Sequence, residues 1–321
     1  MTNKNFLLID TIHPLFVQGL LKLGYNLVDG TLWTNEKVLD ELPAFTGILV
    51  RSKITLDENF FHKATNLKFI ARAGAGIEHI DINEAKKRNI HLITAPEGNR
   101  NAVAEHALGM LLNLMNNLNK ADREIREGKW LREDNRGNEI HGKTIGIIGF
   151  GNTGQSFAKK FIGFETPVIA YDKYAEVNAS HVTAVSMEQL FEQADIVSFH
   201  IPLTTETNDL VNDEFLSSFK KNSYLINTSR GKILNTKALV KHLKTGKILG
   251  AALDVIEYEN QSFESQASIA DQETYGYLLA SPRVLLTPHI AGWTHESYRL
   301  IAEVLLEKIT NLTSLPSTHN S

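Results

Sequence analysis

KTIGIIGFGNTGQSFAKKFIGFETPVIAYD, residues Lys143 to Asp172, holds in one stretch a strand, a glycine turn, a helix and a second strand. Ile145, Ile147 and Ile148 are β-branched and apolar without alternation, as in a parallel strand buried on both faces. Gly149, Gly151 and Gly154 then spell G-x-G-x-x-G. In that pattern the first glycine permits a tight turn, the second lets backbone approach a pyrophosphate, and the third lets helix pack on sheet. The first helical amides, at Asn152, Thr153 and Gly154, would point at the phosphate charge. An amphipathic helix follows, with Phe157, Ala158 and Phe161 on one side and Lys159 and Lys160 on the other. The second strand, VIAYD, ends on Asp172. A carboxylate there can accept from the adenosine ribose hydroxyls and would repel a 2′-phosphate. An ordinary glycine turn would lack this whole sequence of strand, helix and strand; a solvated strand-end acid remains the plain alternative for Asp172. The reading is an NAD site; Lys173, directly after Asp172, leaves NADP open.

The chain of 321 residues has room for about two domains. Its net charge of −4 offers no general attraction to nucleic acid or anionic membrane, so an anionic substrate must be met by local arginines. The absence of cysteine excludes disulfides, thiolate zinc sites and a cysteine nucleophile. MTNKNFLLID has too short an apolar run for a signal peptide, and no segment approaches a membrane span. The expectation is a soluble cytoplasmic protein with a small-molecule substrate and without nucleic-acid or membrane partners. No H-E-x-x-H, zinc spacing or EF-hand loop is present, so no metal is expected. Gly137 to Thr144 fits the P-loop pattern, but there the lysine opens a strand instead of a helix, which rules against phosphate cradling.

Residues 4 to 93 alternate short apolar strands with helices, a parallel α/β unit of its own. Ligands of such sheets sit beyond the carboxyl ends of strands. Two ends here carry Arg51 with Ser52, and Arg72 running into Gly74, Ala75 and Gly76, whose amides could form an anion-binding nest. A simple turn with solvated arginines is the plain alternative. Pro96, Gly98 and Asn99 are read as a break, followed by one long apolar helix from Asn101 to about Asn119. Strands recur after the glycine turn at 195–199, 223–227, 249–253 and 284–287, and residues 295–310 form a last amphipathic helix. Arg230, Glu259 and His289 each follow one of these strand ends. Each alone could be a solvated or capping residue; together, at one dinucleotide sheet, they suggest acid–base chemistry.

The ordered motifs VRS (Val50–Ser52), RAGAGIEHID (Arg72–Asp81), PEGNRNAVAEH (Pro96–His106), GKTIGIIGFGNTG, HIPLT (His200–Thr204), NTSRG, GAALDV and TPHIAG resemble the D-isomer-specific 2-hydroxyacid dehydrogenases over roughly residues 5 to 312. The resemblance implies an α/β fold of two doubly wound parallel sheets: a Rossmann NAD-binding domain, 101–293, inserted into a flavodoxin-like substrate domain, 1–100 and 294–321. It implies that Arg230 holds the substrate carboxylate, His289 is the acid/base and Glu259 pairs with it. Glu257 remains an alternative partner. Cofactor contacts carry over to Gly149, Gly151, Asn152, Thr153, Gly154, Asp172, His200, Pro202, Thr228, Asp254 and Gly292. The physical reading agrees: a guanidinium is a two-pronged donor to carboxylate, and a histidine oriented by an acid can move the C2 hydroxyl proton.

Asn260, Ile256, Ala102 and Trp293 depart from the family's usual residues. Arg132 lies in KWLREDNRG, which in relatives reaches toward a neighbouring subunit's cleft; with Arg51 and Arg72 it supplies the charge that a phosphorylated substrate needs. The expectation therefore leans to 3-phosphoglycerate and serine biosynthesis. Glyoxylate, hydroxypyruvate or D-lactate type reductases and a non-catalytic NAD-sensing corepressor stand as alternatives. A homodimer is implied, with the apolar helix at 101–119 as candidate interface. The chain ends soon after the last helix, so the serine-binding regulatory domain that some phosphoglycerate enzymes append is not expected.

Overall fold

The structure, a computed structural model, describes residues 4–259 and 271–314; residues 1–3, 260–270 (with Asn260 among them) and 315–321 lie outside the described residues. The chain divides into two compact units, Met1–Asn99 with Trp293–Ser321, and Arg100–Gly292.

In the first unit β1 (Asn5–Leu8), α1 (Pro14–Lys22), β2 (Asn26–Asp29), α2 (Asn35–Glu41), β3 (Gly47–Val50), α3 (Glu58–Lys63), β4 (Phe69–Arg72), α4 (Ile82–Lys87) and β5 (His91–Thr94) alternate. The five strands pair in parallel in the order β2-β1-β3-β4-β5, the flavodoxin-like arrangement. GILV of β3 and FIAR of β4 are buried at every position, as unalternating apolar runs require.

A helix, α5 (Pro96–Met115), begins where a break was expected. Pro96 is its first residue, a position where a missing N–H is no loss. Gly98 is an approach site: a Cβ there would meet the Ile301 backbone nitrogen at 2.7 Å. The helix also ends earlier than expected, at Met115 instead of about Asn119. Asn117, at φ 55°, turns the chain into a second helix, α6 (Leu118–Arg126), because asparagine tolerates the left-handed region.

The second unit continues with β6 (Ile145–Ile148), α7 (Asn152–Lys159), β7 (Val168–Tyr171), β8 (Thr183–Ala184), α8 (Met187–Gln193), β9 (Ile196–Phe199), α9 (Asp213–Ser218), β10 (Ser223–Asn227), α10 (Thr236–Thr245), β11 (Ile248–Leu253), α11 (Gln272–Ala280) and β12 (Val284–Leu286). Its seven strands are parallel in the order β12-β11-β10-β9-β6-β7-β8, the doubly wound dinucleotide-fold order extended by one strand. Lys143 and Thr144 lead directly into β6, so the P-loop pattern there is accidental. The last helix, α12 (His295–Ser314), belongs to the first unit and packs on α1 and β5. No helix among the described residues is long and apolar enough to cross a membrane.

Candidate active site

Strand order reverses in the second sheet between β6 and β9, the crevice where ligands of such sheets bind. Gly149 lies there at φ 92°, and a Cβ on it would strike the His200 carbonyl oxygen at 2.4 Å. Gly154 abuts Gly149: a Cβ would come within 2.0 Å of its carbonyl oxygen, so α7 starts hard against the turn. Gly151 is the opposite case, with nothing within 4 Å of where a Cβ would stand. Two glycines thus close the turn and the third leaves its outer face open, as a bound pyrophosphate needs. Beyond β10, Thr228 Oγ1 is buried and has no hydrogen-bond partner among the described residues. A polar ligand would relieve that cost. The residues present fit a dinucleotide.

Asp172 ends β7 with one carboxylate oxygen accepting from Phe150 N–H (2.6 Å) and the other from Tyr174 and Ala175 N–H (2.9 Å each). Burial alone would raise its pKa, but these three donors outweigh it and hold the carboxyl below its usual range. His200 locks the turn from the β9 side. Its N–H donates to the Ile148 carbonyl (2.8 Å), its ring packs on Phe157 (5.1 Å between centroids), and Nε2 meets Ser198 Oγ at 2.9 Å. Burial pushes its imidazole down to about 3, so it stays neutral at working pH. Pro202 opens the next loop, its carbonyl accepting from Thr207 Oγ1 at 2.7 Å.

Adjacent parallel strands β10, β11 and β12 end side by side, and their following residues carry the acid–base groups. His289 Nδ1 lies 2.7 Å from Glu259 Oε2, while Glu259 Oε1 accepts from Ile256 N–H at 2.5 Å. Both side chains are largely shielded, at 22% and 16% exposure. Glu257 is engaged elsewhere, accepting from Thr236 N–H and Oγ at the start of α10. Geometry therefore selects Glu259 as the histidine's partner. Arg230 follows β10, and Gly231 brings its loop into contact with that of Glu259; a Cβ there would lie 1.9 Å from the Ile256 carbonyl oxygen. Asn227 fixes this turn through the Arg230 carbonyl and the Ser229 N–H.

Asp254 anchors the whole end. Its fully buried carboxylate accepts from Thr287 Oγ (2.6 Å), Ile290 N–H and Ala291 N–H (2.9 Å each), and His106 Nε2 stands 3.5 Å away. Its backbone oxygen takes the His289 N–H at 2.8 Å. Desolvation would raise its pKa, yet the donors hold it below the usual carboxylate range. Gly292 closes this unit.

In the first unit the switch point lies between β1 and β3. Asp10 stands there, and its Oδ2 accepts from Arg51, Ser52 and Lys53 N–H at 2.5, 3.2 and 3.4 Å. These amides are already given to an internal carboxylate. The Arg51 guanidinium bonds to the Thr11 carbonyl and hydroxyl and lies 4.6 Å over the Trp293 ring. Arg72 is buried, its guanidinium folded against Gly74, which has φ 145°. Gly74 N–H, expected to join an anion-binding nest, instead donates to the Arg72 carbonyl at 2.8 Å, whereas the N–H groups of Ala75 and Gly76 have no acceptor among the described residues. Arg132 belongs to the second unit, exposed beside Trp130 and Leu131. Sequence reasoning passed over Asp10, although FLLID ends its strand on an acid as VIAYD does, and over the His106–Thr287 contact, which no local pattern announces. No metal-binding cluster of histidine and acidic residues occurs among the described residues.

A seven-stranded dinucleotide sheet with a paired histidine and glutamate at its carboxyl edge defines a class of nicotinamide-dependent oxidoreductases. Residues 108–291 match the profile of the D-isomer specific 2-hydroxyacid dehydrogenase, NAD binding domain, and the chain belongs to that family. It is 34% identical over 309 residues to D-3-phosphoglycerate dehydrogenase of Archaeoglobus fulgidus, covering 95% of this chain and 56% of the relative. It is also 34% identical over 274 residues to hydroxypyruvate reductase of Thermotoga maritima, covering 85% and 87%. The D-lactate dehydrogenase of Aquifex aeolicus, solved with NAD and lactic acid, superposes with a TM-score of 0.82 at 26% identity, covering 96% and 95% of the two chains. The chain thus spans little more than half of its phosphoglycerate dehydrogenase relative.

Proposed function

We propose that this protein transfers a hydride between NAD and C2 of a small D-2-hydroxy acid. The observation that carries the reading is the 2.7 Å contact of His289 Nδ1 with Glu259, set beside the Arg230 loop on the sheet that bears the glycine turn. NAD, when bound, supplies the hydride acceptor or donor. Arg230 holds the substrate carboxylate through a planar, two-pronged donor. Neutral His289 takes the C2 hydroxyl proton at Nε2 in oxidation, and the protonated ring returns it in reduction. Glu259 fixes the ring from the Nδ1 side and stabilises its charge. Thr228, the glycine turn and Asp172 hold the dinucleotide, and Asp254 holds the His289 loop in place.

The favoured substrate is 3-phosphoglycerate. Arg51, Arg72 and the open Ala75 and Gly76 amides support it by offering positive charge for anionic groups, as does the phosphoglycerate dehydrogenase relative. Hydroxypyruvate or a similar 2-oxo acid is the second reading, supported by the reductase relative, which is matched along 87% of its length. NADH absorbance with a panel of 2-oxo acids, and with 3-phosphoglycerate plus NAD, separates them. Turnover of phosphoglycerate with a KM that rises on Arg51→Ala and Arg72→Ala is the expected result. An unchanged KM would remove phosphoglycerate, and inactivity of cofactor-loaded protein across the panel would favour a non-catalytic NAD sensor.

A further inference from the structure

The corner beyond β7 carries a contact that the reaction does not use. Asp172 is followed by Lys173 and Tyr174, and both reach one acceptor: the Lys173 ammonium donates to Oε1 of Glu206, and the Tyr174 hydroxyl donates to Oε2. Glu206 stands in the loop after β9, inside a turn where Thr204 N–H donates to Thr207 Oγ1 at 2.8 Å. The loop is therefore ordered in a way that presents this carboxylate toward the end of β7. Hydrogen bonds from Lys173 and Tyr174 hold Glu206 below the usual carboxylate range, so its charge is present at neutral pH.

A dinucleotide bearing a 2′-phosphate brings extra negative charge to the ribose corner beside Asp172. Two neighbours decide whether it is tolerated. Asp172, fixed by three backbone N–H groups, repels it; Lys173, the next residue, is the cation that could bind it. In this chain the ammonium is engaged by Glu206, which also adds a second carboxylate to the corner. An NAD ribose carries no charge there and is nearly indifferent to both.

We propose that Glu206 is a specificity-determining residue that excludes NADP by holding Lys173 and adding negative charge beside Asp172. The inference rests on the dinucleotide site proposed above. Its test is binding, not turnover: fluorescence titration of NADH and NADPH against the full chain, with Glu206→Gln, Glu206→Ala and Glu206→Gln combined with Lys173→Ala. Both single variants should tighten NADPH on the order of tenfold, the size of one charge-assisted contact, and leave NADH within about twofold. The gain should shrink as salt rises and be markedly smaller in the double variant, where only the relief of the Glu206 charge remains. An unchanged NADPH-to-NADH ratio in both single variants, or a gain undiminished by loss of Lys173, would overturn the assignment. Wild-type protein binding neither dinucleotide would remove the cofactor reading and this inference with it.

Discussion

His289 has a backbone φ of 54°, a left-handed conformation that costs a non-glycine residue roughly 1–2 kcal/mol. Asp254 holds it there through its backbone oxygen and through the Ile290 and Ala291 N–H groups. With the ring also fixed by Glu259, the role proposed for His289 is proton transfer and not cofactor affinity. His289→Ala should therefore lower kcat by about 10²- to 10⁴-fold while the NADH dissociation constant stays nearly constant; parallel losses in stopped-flow and titration would count against the role. Arg230, Glu259 and His289 were legible because each follows a strand end. Choosing Glu259 over Glu257 was not, since both lie in one acidic loop and only their contacts, with His289 and with Thr236 respectively, separate them. A second histidine gives a pH prediction of defined sign. His200 is held near 3 in the folded state and returns to about 6.5 when unfolded. The unfolded chain thus binds the extra proton between these values. Stability is full above pH 6.5 and falls toward pH 3 by up to about 1.4 kcal/mol per unit. Denaturation of His200→Gln at pH 7 and pH 4.5 should show a shallower acid loss than wild type, and identical slopes would refute the buried neutral ring.

At the scale of elements, the strands were the easy part. Runs such as IGII, IVSF and GILV are apolar without alternation, and strand order then follows from parallel pairing. Short helices were harder. α3 and α4 have six residues each, too few for a periodic signal, and only the caps Asp57 and Asp81 mark their starts. The start of α5 was misread because proline and glycine punctuate most chains, whereas here Pro96 opens the helix and Gly98 admits α12. That contact is testable. Gly98→Ala would press a methyl into the Ile301 backbone, at 2.7–2.8 Å from its nitrogen and Cα, which cannot swing aside as a side chain could. Gly19→Ala also collides, but with Leu306 side-chain atoms. Gly98→Ala should therefore destabilise the protein by about 1–3 kcal/mol and more than Gly19→Ala does, by chemical denaturation. The reverse order would mean that α12 shifts easily.

For the whole molecule, the apolar helix named as a candidate subunit interface packs one face inward. Ala104, Ala107, Met110, Leu111 and Met115 of α5 are buried in the core of their own unit. Periodicity could not say whether that apolar face met a sheet or a second chain. The exposed apolar groups lie just beyond, at Leu118, Ile125, Trp130 and Leu131, with Trp130 83% exposed. Leu118 and Ile125 are seven residues apart and share one face of α6, while Ile125, Trp130 and Leu131 line one shallow depression with Arg132. An apolar patch rimmed by charge is what a self-complementary two-fold contact uses. We propose a homodimer formed through this patch. Sedimentation should find the wild type dimeric at micromolar concentration. Ile125→Glu with Trp130→Glu should give a monomer of unchanged helix content, because neither side chain is part of the core. A dimer that persists in that variant would place the contact elsewhere, and a monomeric wild type would leave the patch to a different partner.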